Sequence, residues 1–65
     1  MKIIIKVQEK RKQMGLSIRQ LAQLSGISKS QIAAIEAGSS MPTILTLCRL
    51  ADAMHVNTEE LYEYR

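Results

Sequence analysis

Three observations predict an all-α fold, a compact bundle of five helices forming one domain over residues 1–65. Serine and asparagine recur three residues ahead of glutamine or glutamate, as helix N-caps do. Glycines fall where the preceding segments should stop. Apolar residues repeat at three- and four-residue spacing. With 65 residues there is no room for a second domain. A chain of that length hides only about 60% of its unfolded surface, so few positions are left to build the core. The helices read as about 2–14, 17–25, 28–37, 43–54 and 58–64.

In the first helix Ile3, Val7 and Met14 follow helical spacing with Arg11 between them, although residues 2–6 could be extended. The second starts at Ser17, whose side chain is placed to accept from the Gln20 amide while Gln20 reaches back, a capping box. Leu21 and Ala22 continue its apolar face from Leu16, and Gly26 follows its end. The third repeats the signal with Ser28 and Gln31, sets Ile32 and Ile35 three apart, and stops at Gly38. Thr43, behind Pro42, caps the fourth. Its stripe is Ile44, Leu47, Leu50, Ala51 and Met54, with Leu45 pointing away and His55 at the C-terminal end. Asn57 and Glu60 open the fifth, and Val56 and Leu61 close the core. No strand alternation is read, and the longest loop is roughly 38–42.

Composition narrows the function classes. The chain is 46% hydrophobic and 23% charged, with no Trp, no Phe and two Tyr, so aliphatic residues and methionine build the core. One Cys and one His give neither an internal disulfide nor a zinc site, and no cofactor is expected. A small secreted domain would normally carry disulfides, so the expected location is cytoplasmic. The run Ile3-Ile4-Ile5 between Lys2 and Lys6 is far short of the roughly 7–15 residues of a signal core or the roughly 20 of a span. No membrane association is expected. Cys48 and His55 lie two helical turns apart, roughly 10 Å, too far for a catalytic dyad. Cys48 reads as a packed small hydrophobe, and Glu59, Glu60 and Glu63 as a solvated face. Neither an enzyme nor a small-molecule substrate is indicated.

The net charge of +3 is unevenly spread. Residues 1–30 hold seven bases against one acid, and residues 31–65 hold two bases against five acids. A basic end suits a polyanionic partner, or is simply a solvated surface.

The informative spacing lies within 17–36. Two short helices flank a turn holding Gly26, with Ala22 four residues before it and Ile32 six after. A crossing at about 90–120° over a three- to four-residue turn needs a permissive residue there and branched apolar residues to fix the angle. Val7 to Arg11, Gly15-Leu16-Ser17, Leu21-Ala22, Gly26, Ile32, Ile35 to Gly38, Pro42-Thr43 and Leu47 to Val56 together resemble the helix-turn-helix domains of the Cro and phage-repressor type. The resemblance covers nearly the whole chain. It implies double-stranded DNA as partner, with helix 28–37 in the major groove and helix 17–25 across the backbone. Ser28, Lys29, Ser30, Ala33 and Ala34 then occupy base-facing positions. Ser17, Arg19, Gln23, Ser39 and Ser40 occupy phosphate-facing ones, and Arg11 pairs with Glu36. Ile18 stands where family members often carry glutamine, and Ser39, Ser40 and Met41 lack the bases several members place there. The alternative is a protein-interaction module, such as an antitoxin-like partner, on the same fold. Surplus apolar residues, Ile4 and Ile5 at one end and Leu45, Tyr62 and Tyr64 at the other, point to a homodimer.

Overall fold

A computed structural model describes residues 1–65. The chain runs β1 (Ile3–Ile5), α1 (Val7–Gln13), α2 (Ile18–Ser25), α3 (Lys29–Ala37), α4 (Ile44–Met54), a turn of 3-10 helix (Thr58–Leu61) and β2 (Tyr62–Tyr64). Four α-helices surround the core, and the two strands pair antiparallel across its end with Ile3 opposite Tyr64, Ile4 opposite Glu63 and Ile5 opposite Tyr62.

Capping fixes the helix starts. Ser17 Oγ accepts from the Gln20 amide at 3.0 Å and Gln20 Oε1 accepts from the Ser17 amide at 2.8 Å, closing a full box at the head of α2. Ser28 and Thr43 accept from Gln31 and Thr46 amides at 3.1 Å. The ends are set by residues in left-handed backbone: Gly26 at φ 75° after α2, Gly38 at φ 81° after α3, and His55 at φ 56° after α4. A Cβ built on Gly26 would meet nothing within 4 Å. The turn between α2 and α3 therefore needs glycine for its φ, not for close approach of the two helices.

Val7, Leu21, Ile27, Ile32, Ile35, Leu47, Leu50, Ala51, Met54 and Leu61 form one buried cluster drawn from every helix. Ile5, Leu16, Ile18, Ala22, Ala53 and Val56 pack around it, half-buried. Ile32 and Ile35 thus anchor α3 by one face and leave the opposite face to solvent.

Four of the sequence-based expectations change. The first helix does not reach back to residue 2. Three consecutive β-branched residues favour extended chain, and a ladder partner was available at the far end of the sequence. The fifth helix is a single 3-10 turn, because residues 62–64 supply that partner; the five-helix bundle is a four-helix domain with a two-stranded sheet. Ile44 lies on the α4 stripe in projection but is 78% exposed at the first position of the helix, and burial of the stripe begins with Leu47. Cys48 is an exposed free thiol, not a packed one. Its Sγ accepts from the Thr58 hydroxyl at 3.6 Å.

Candidate nucleic-acid interface

The position of α3 is held from behind by an ion pair. Arg11, on α1, donates from Nε to Glu36 Oε2 at 2.8 Å and from Nη2 to Glu36 Oε1 at 2.9 Å, a bidentate fork. Its Nη1 donates to the Leu16 carbonyl at 2.9 Å. The two side chains are only 10% and 5% exposed. The Glu36 hydrogen bonds hold the Arg11 guanidinium above its ordinary range even though burial works the other way. This fork ties α1, the turn before α2 and the C-terminal half of α3 together.

On the solvent side of α3, Lys29, Ser30, Gln31, Ala33 and Ala37 are exposed and Ala34 is half-exposed. Ser28 is exposed as well, its oxygen turned to the Gln31 amide while its hydroxyl hydrogen is free to be donated. Beside the head of α3 an open, shallow depression is lined by Arg19, Ala22, Gln23, Gly26, Ser28 and Lys29, among others. Two cations, one amide and one hydroxyl therefore converge on the turn between α2 and α3. Of the residues expected at phosphates, Arg19 and Gln23 are in this group. Ser17 sits exposed at the head of α2, with its oxygen engaged in the cap. Ser39 and Ser40 lie past the other end of α3. Their amides are both taken by the Ala34 carbonyl, and the Ser39 hydroxyl donates to it as well at 3.2 Å. Neither serine amide is available to an anion, and the Ser39 hydroxyl hydrogen is taken too, which leaves the Ser40 hydroxyl as the one donor of this pair.

Gln31 is absent from the base-facing set read from the sequence, where its spacing from Ser28 predicts a second capping box. Only half of that box forms: Ser28 accepts from the Gln31 amide, and no reciprocal bond from the Gln31 carboxamide exists. Its carboxamide is left exposed on the flank of α3.

The electrostatics differ from a linear count of charges. Lys6 lies 3.9 Å from Glu9 and 3.6 Å from Glu63, and Lys10 lies 3.5 Å from Glu60. Arg11 is spent on Glu36. Acids from the second half of the chain thus pair with three of the seven bases of residues 1–30. The bases with no acidic partner are Lys2, Lys12, Arg19, Lys29 and Arg49, and two of these five flank the α2–α3 turn. No group of His, Cys, Asp and Glu is placed to hold a metal ion. No helix is long and apolar enough to cross a membrane.

Two helices crossing at a glycine turn, with the second anchored by one face and bare on the other, define a helix-turn-helix protein. A helix-turn-helix family model, HTH_3, matches residues 7–61, nearly every residue between the strands, and the chain belongs to that family. It is 39% identical over 46 residues to the HTH-type transcriptional regulator SutR of Escherichia coli K12, covering 71% of this chain and 26% of that protein. It also superposes with a TM-score of 0.80, at 40% identity, on an HTH_3 family transcriptional regulator from Vibrio cholerae, over 82% of this chain and 30% of that one. The chain spans less than a third of the length of these relatives. They are regulators, and nothing in this chain points to catalysis.

Proposed function

We propose that this chain is a single domain that binds double-stranded DNA sequence-specifically in a cytoplasmic transcriptional regulator, working as a two-fold pair. The observation that carries this reading is the convergence of unpaired Arg19 and Lys29 on the α2–α3 turn, beside a helix whose outer face has no other partner in the fold. With α3 in the major groove, Lys29 donates to guanine O6 or N7, and Ser28 and Ser30 reach neighbouring base edges. Ala33 and Ala34 pack against thymine methyl groups. The free carboxamide of Gln31 adds an adenine-type pattern of one donor and one acceptor. Arg19, Gln23 and the head of α2 at Ser17 hold one stretch of phosphates, and the Ser40 hydroxyl holds another. Arg11 and Glu36 hold α3 at the depth these contacts need.

Selection from a random duplex pool tests the reading, followed by affinity measurements on the selected site. Lys29→Ala should cost about 1–3 kcal/mol at one position of the site and relax the sequence preference there. Arg19→Ala should weaken all sequences alike. With Arg19 and Lys12 as the candidate phosphate-neutralising bases, log K should fall with log salt at a slope of about −2 per chain. A pool that returns no motif, together with a flat salt dependence, would reject DNA as the ligand.

A further inference from the structure

The N- and C-terminal residues that looked like two separate apolar ends are one surface. Lys2 and Arg65 exchange backbone hydrogen bonds, and the Lys6 amide donates to the Leu61 carbonyl at 2.8 Å. Antiparallel alternation then turns the backbone groups of Ile4 and Glu63 towards each other, and those of Ile3, Ile5, Tyr62 and Tyr64 outwards. The sheet has only these two strands, so both of its edges are open. On one face the side chains of Ile3, Tyr62 and Tyr64 stand together, with Tyr64 63% exposed. Ile3 and Tyr62, with Ile5, border an apolar groove completed by Met41, Pro42 and Ile44 among others.

The two edges differ in charge. Pairing β1 with a second β1 around Ile4 would set Lys2 opposite Lys6 of the second copy, with Arg65 next in the same row. Like charges opposite each other destabilise a ladder, and edge lysines are a common guard against such pairing. At β2 the pattern is self-complementary. Centred on Tyr64, a two-fold antiparallel pairing sets Glu63 opposite Arg65 of the second copy, and Arg65 opposite Glu63. The outward backbone groups of Tyr64 are those that meet at the axis, so the two tyrosines exchange both hydrogen bonds. On the apolar face Ile3 and Tyr64 of each copy fall in one continuous row.

We propose that two copies of this chain join edge to edge through β2, around Tyr64, into a four-stranded sheet with Glu63–Arg65 pairs across the axis. The contact is isologous, so it closes at two copies. The proposal specifies how the pair assumed in the functional reading is built. Within one chain Arg65 also donates to Glu63; on pairing, each carboxylate gains a second guanidinium at the same row.

Sedimentation equilibrium on the full chain should give twice the 7.3 kDa chain mass at rising concentration. Glu63→Arg alone and Arg65→Glu alone should each run as monomers with unchanged far-UV circular dichroism. Mixing the two variants should restore the doubled mass, because every row then pairs a cation with an anion. Tyr64→Pro provides a second test: it removes the amide used at the axis, which the β1 ladder does not use, and should also give a monomer. A monomeric wild type overturns the proposal, as does a mixture that fails to associate. A dimer that survives Glu63→Arg and Tyr64→Pro equally overturns it, and places the contact elsewhere. Half-site DNA binding separates this proposal from the functional reading. If only the edge is broken, Glu63→Arg keeps half-site affinity and loses its preference for an inverted repeat. Loss of half-site binding in the wild type would strike the functional reading instead.

Discussion

Removing one partner of the Arg11–Glu36 fork should be the most damaging single change on the surface side of the core. In Arg11→Met the Glu36 carboxylate, 5% exposed, loses two charge-assisted hydrogen bonds and stays desolvated. Breaking a buried pair in this way costs about 3–5 kcal/mol. The Leu16 carbonyl also loses its donor, worth about 1 kcal/mol more. Stabilities of domains this small lie near about 5 kcal/mol, so Arg11→Met should be close to unfolded at room temperature. Glu36→Leu leaves the guanidinium without its anion but keeps the Leu16 contact, and should cost slightly less. The double variant removes both charges and fills the space with apolar atoms. It should lose only about 1–2 kcal/mol, chiefly the orphaned carbonyl. The coupling between the two sites should therefore be about 5 kcal/mol or more, above the roughly 0.5–3 kcal/mol usual for residues in one network. Urea unfolding followed by far-UV circular dichroism, in a stabilising osmolyte that keeps the single variants folded at zero urea, gives all four stabilities, and equal m-values would show that the unfolding reaction is unchanged. Single variants that each cost less than about 1 kcal/mol, with additive effects in the double, would refute the argument: the pair would then behave as a surface one.

Two further outcomes follow from local geometry. Gly26→Ala forces a side chain into φ 75° in open space, so it should lower stability by about 1–2 kcal/mol, with Gly26→Asn less damaging; an unchanged melting temperature for the alanine variant would contradict the turn geometry. The Asn57 amide, and secondarily Lys10, hold the Glu60 carboxyl below the ordinary carboxylate range, and Arg65, aided by Lys6, does the same for Glu63. A depressed folded value contributes stability above the unfolded carboxylate range, near pH 4.3, and that contribution is lost as pH falls through the lower folded values. Thermal melts of wild type should therefore fall more steeply between neutral and acid pH than those of a Glu60→Gln, Glu63→Gln variant; parallel profiles would show that neither carboxylate matters.

What the sequence disclosed was local. Ser17 with Gln20, Thr43 behind Pro42, and Gly26 and Gly38 each act within four residues of themselves, and all hold their expected places. The apolar spacing of Leu21, Ile32, Ile35, Leu47, Leu50 and Met54 likewise found the core. Contacts between distant parts of the chain could not be read this way. Ile3–Ile5 and Tyr62–Tyr64 become strands only because each supplies the other's partner across about sixty residues, and no local pattern in either announces the other. Helical spacing assigned Ile3 and Val7 to one face and concealed the extended preference of three adjacent isoleucines. Charge counting failed for the same reason: Lys6 and Lys10 look free until Glu60 and Glu63 arrive from the opposite end. Gln31 shows a subtler failure, in which a correct cap at Ser28 suggested a reciprocal bond that the fold does not make.

The sheet joins Lys2 to Arg65, so the chain is almost a closed ring, and its closure spans nearly its full length. Chain entropy rises only slowly with the size of the closed loop, yet it must be met before the ladder returns any hydrogen bond. The helix contacts around Leu21 and Ile32 close much shorter loops, so the helical core can assemble with both ends still loose. The clasp also has a mechanical character. A pull between the two ends loads this antiparallel ladder at its terminal pair, where bonds open one rung at a time and do not resist together in shear. Tension on the ends would therefore unfasten the strands while the α2–α3 unit stays folded. The end-to-end surface would respond to load, and the helix that faces solvent would be insulated from it.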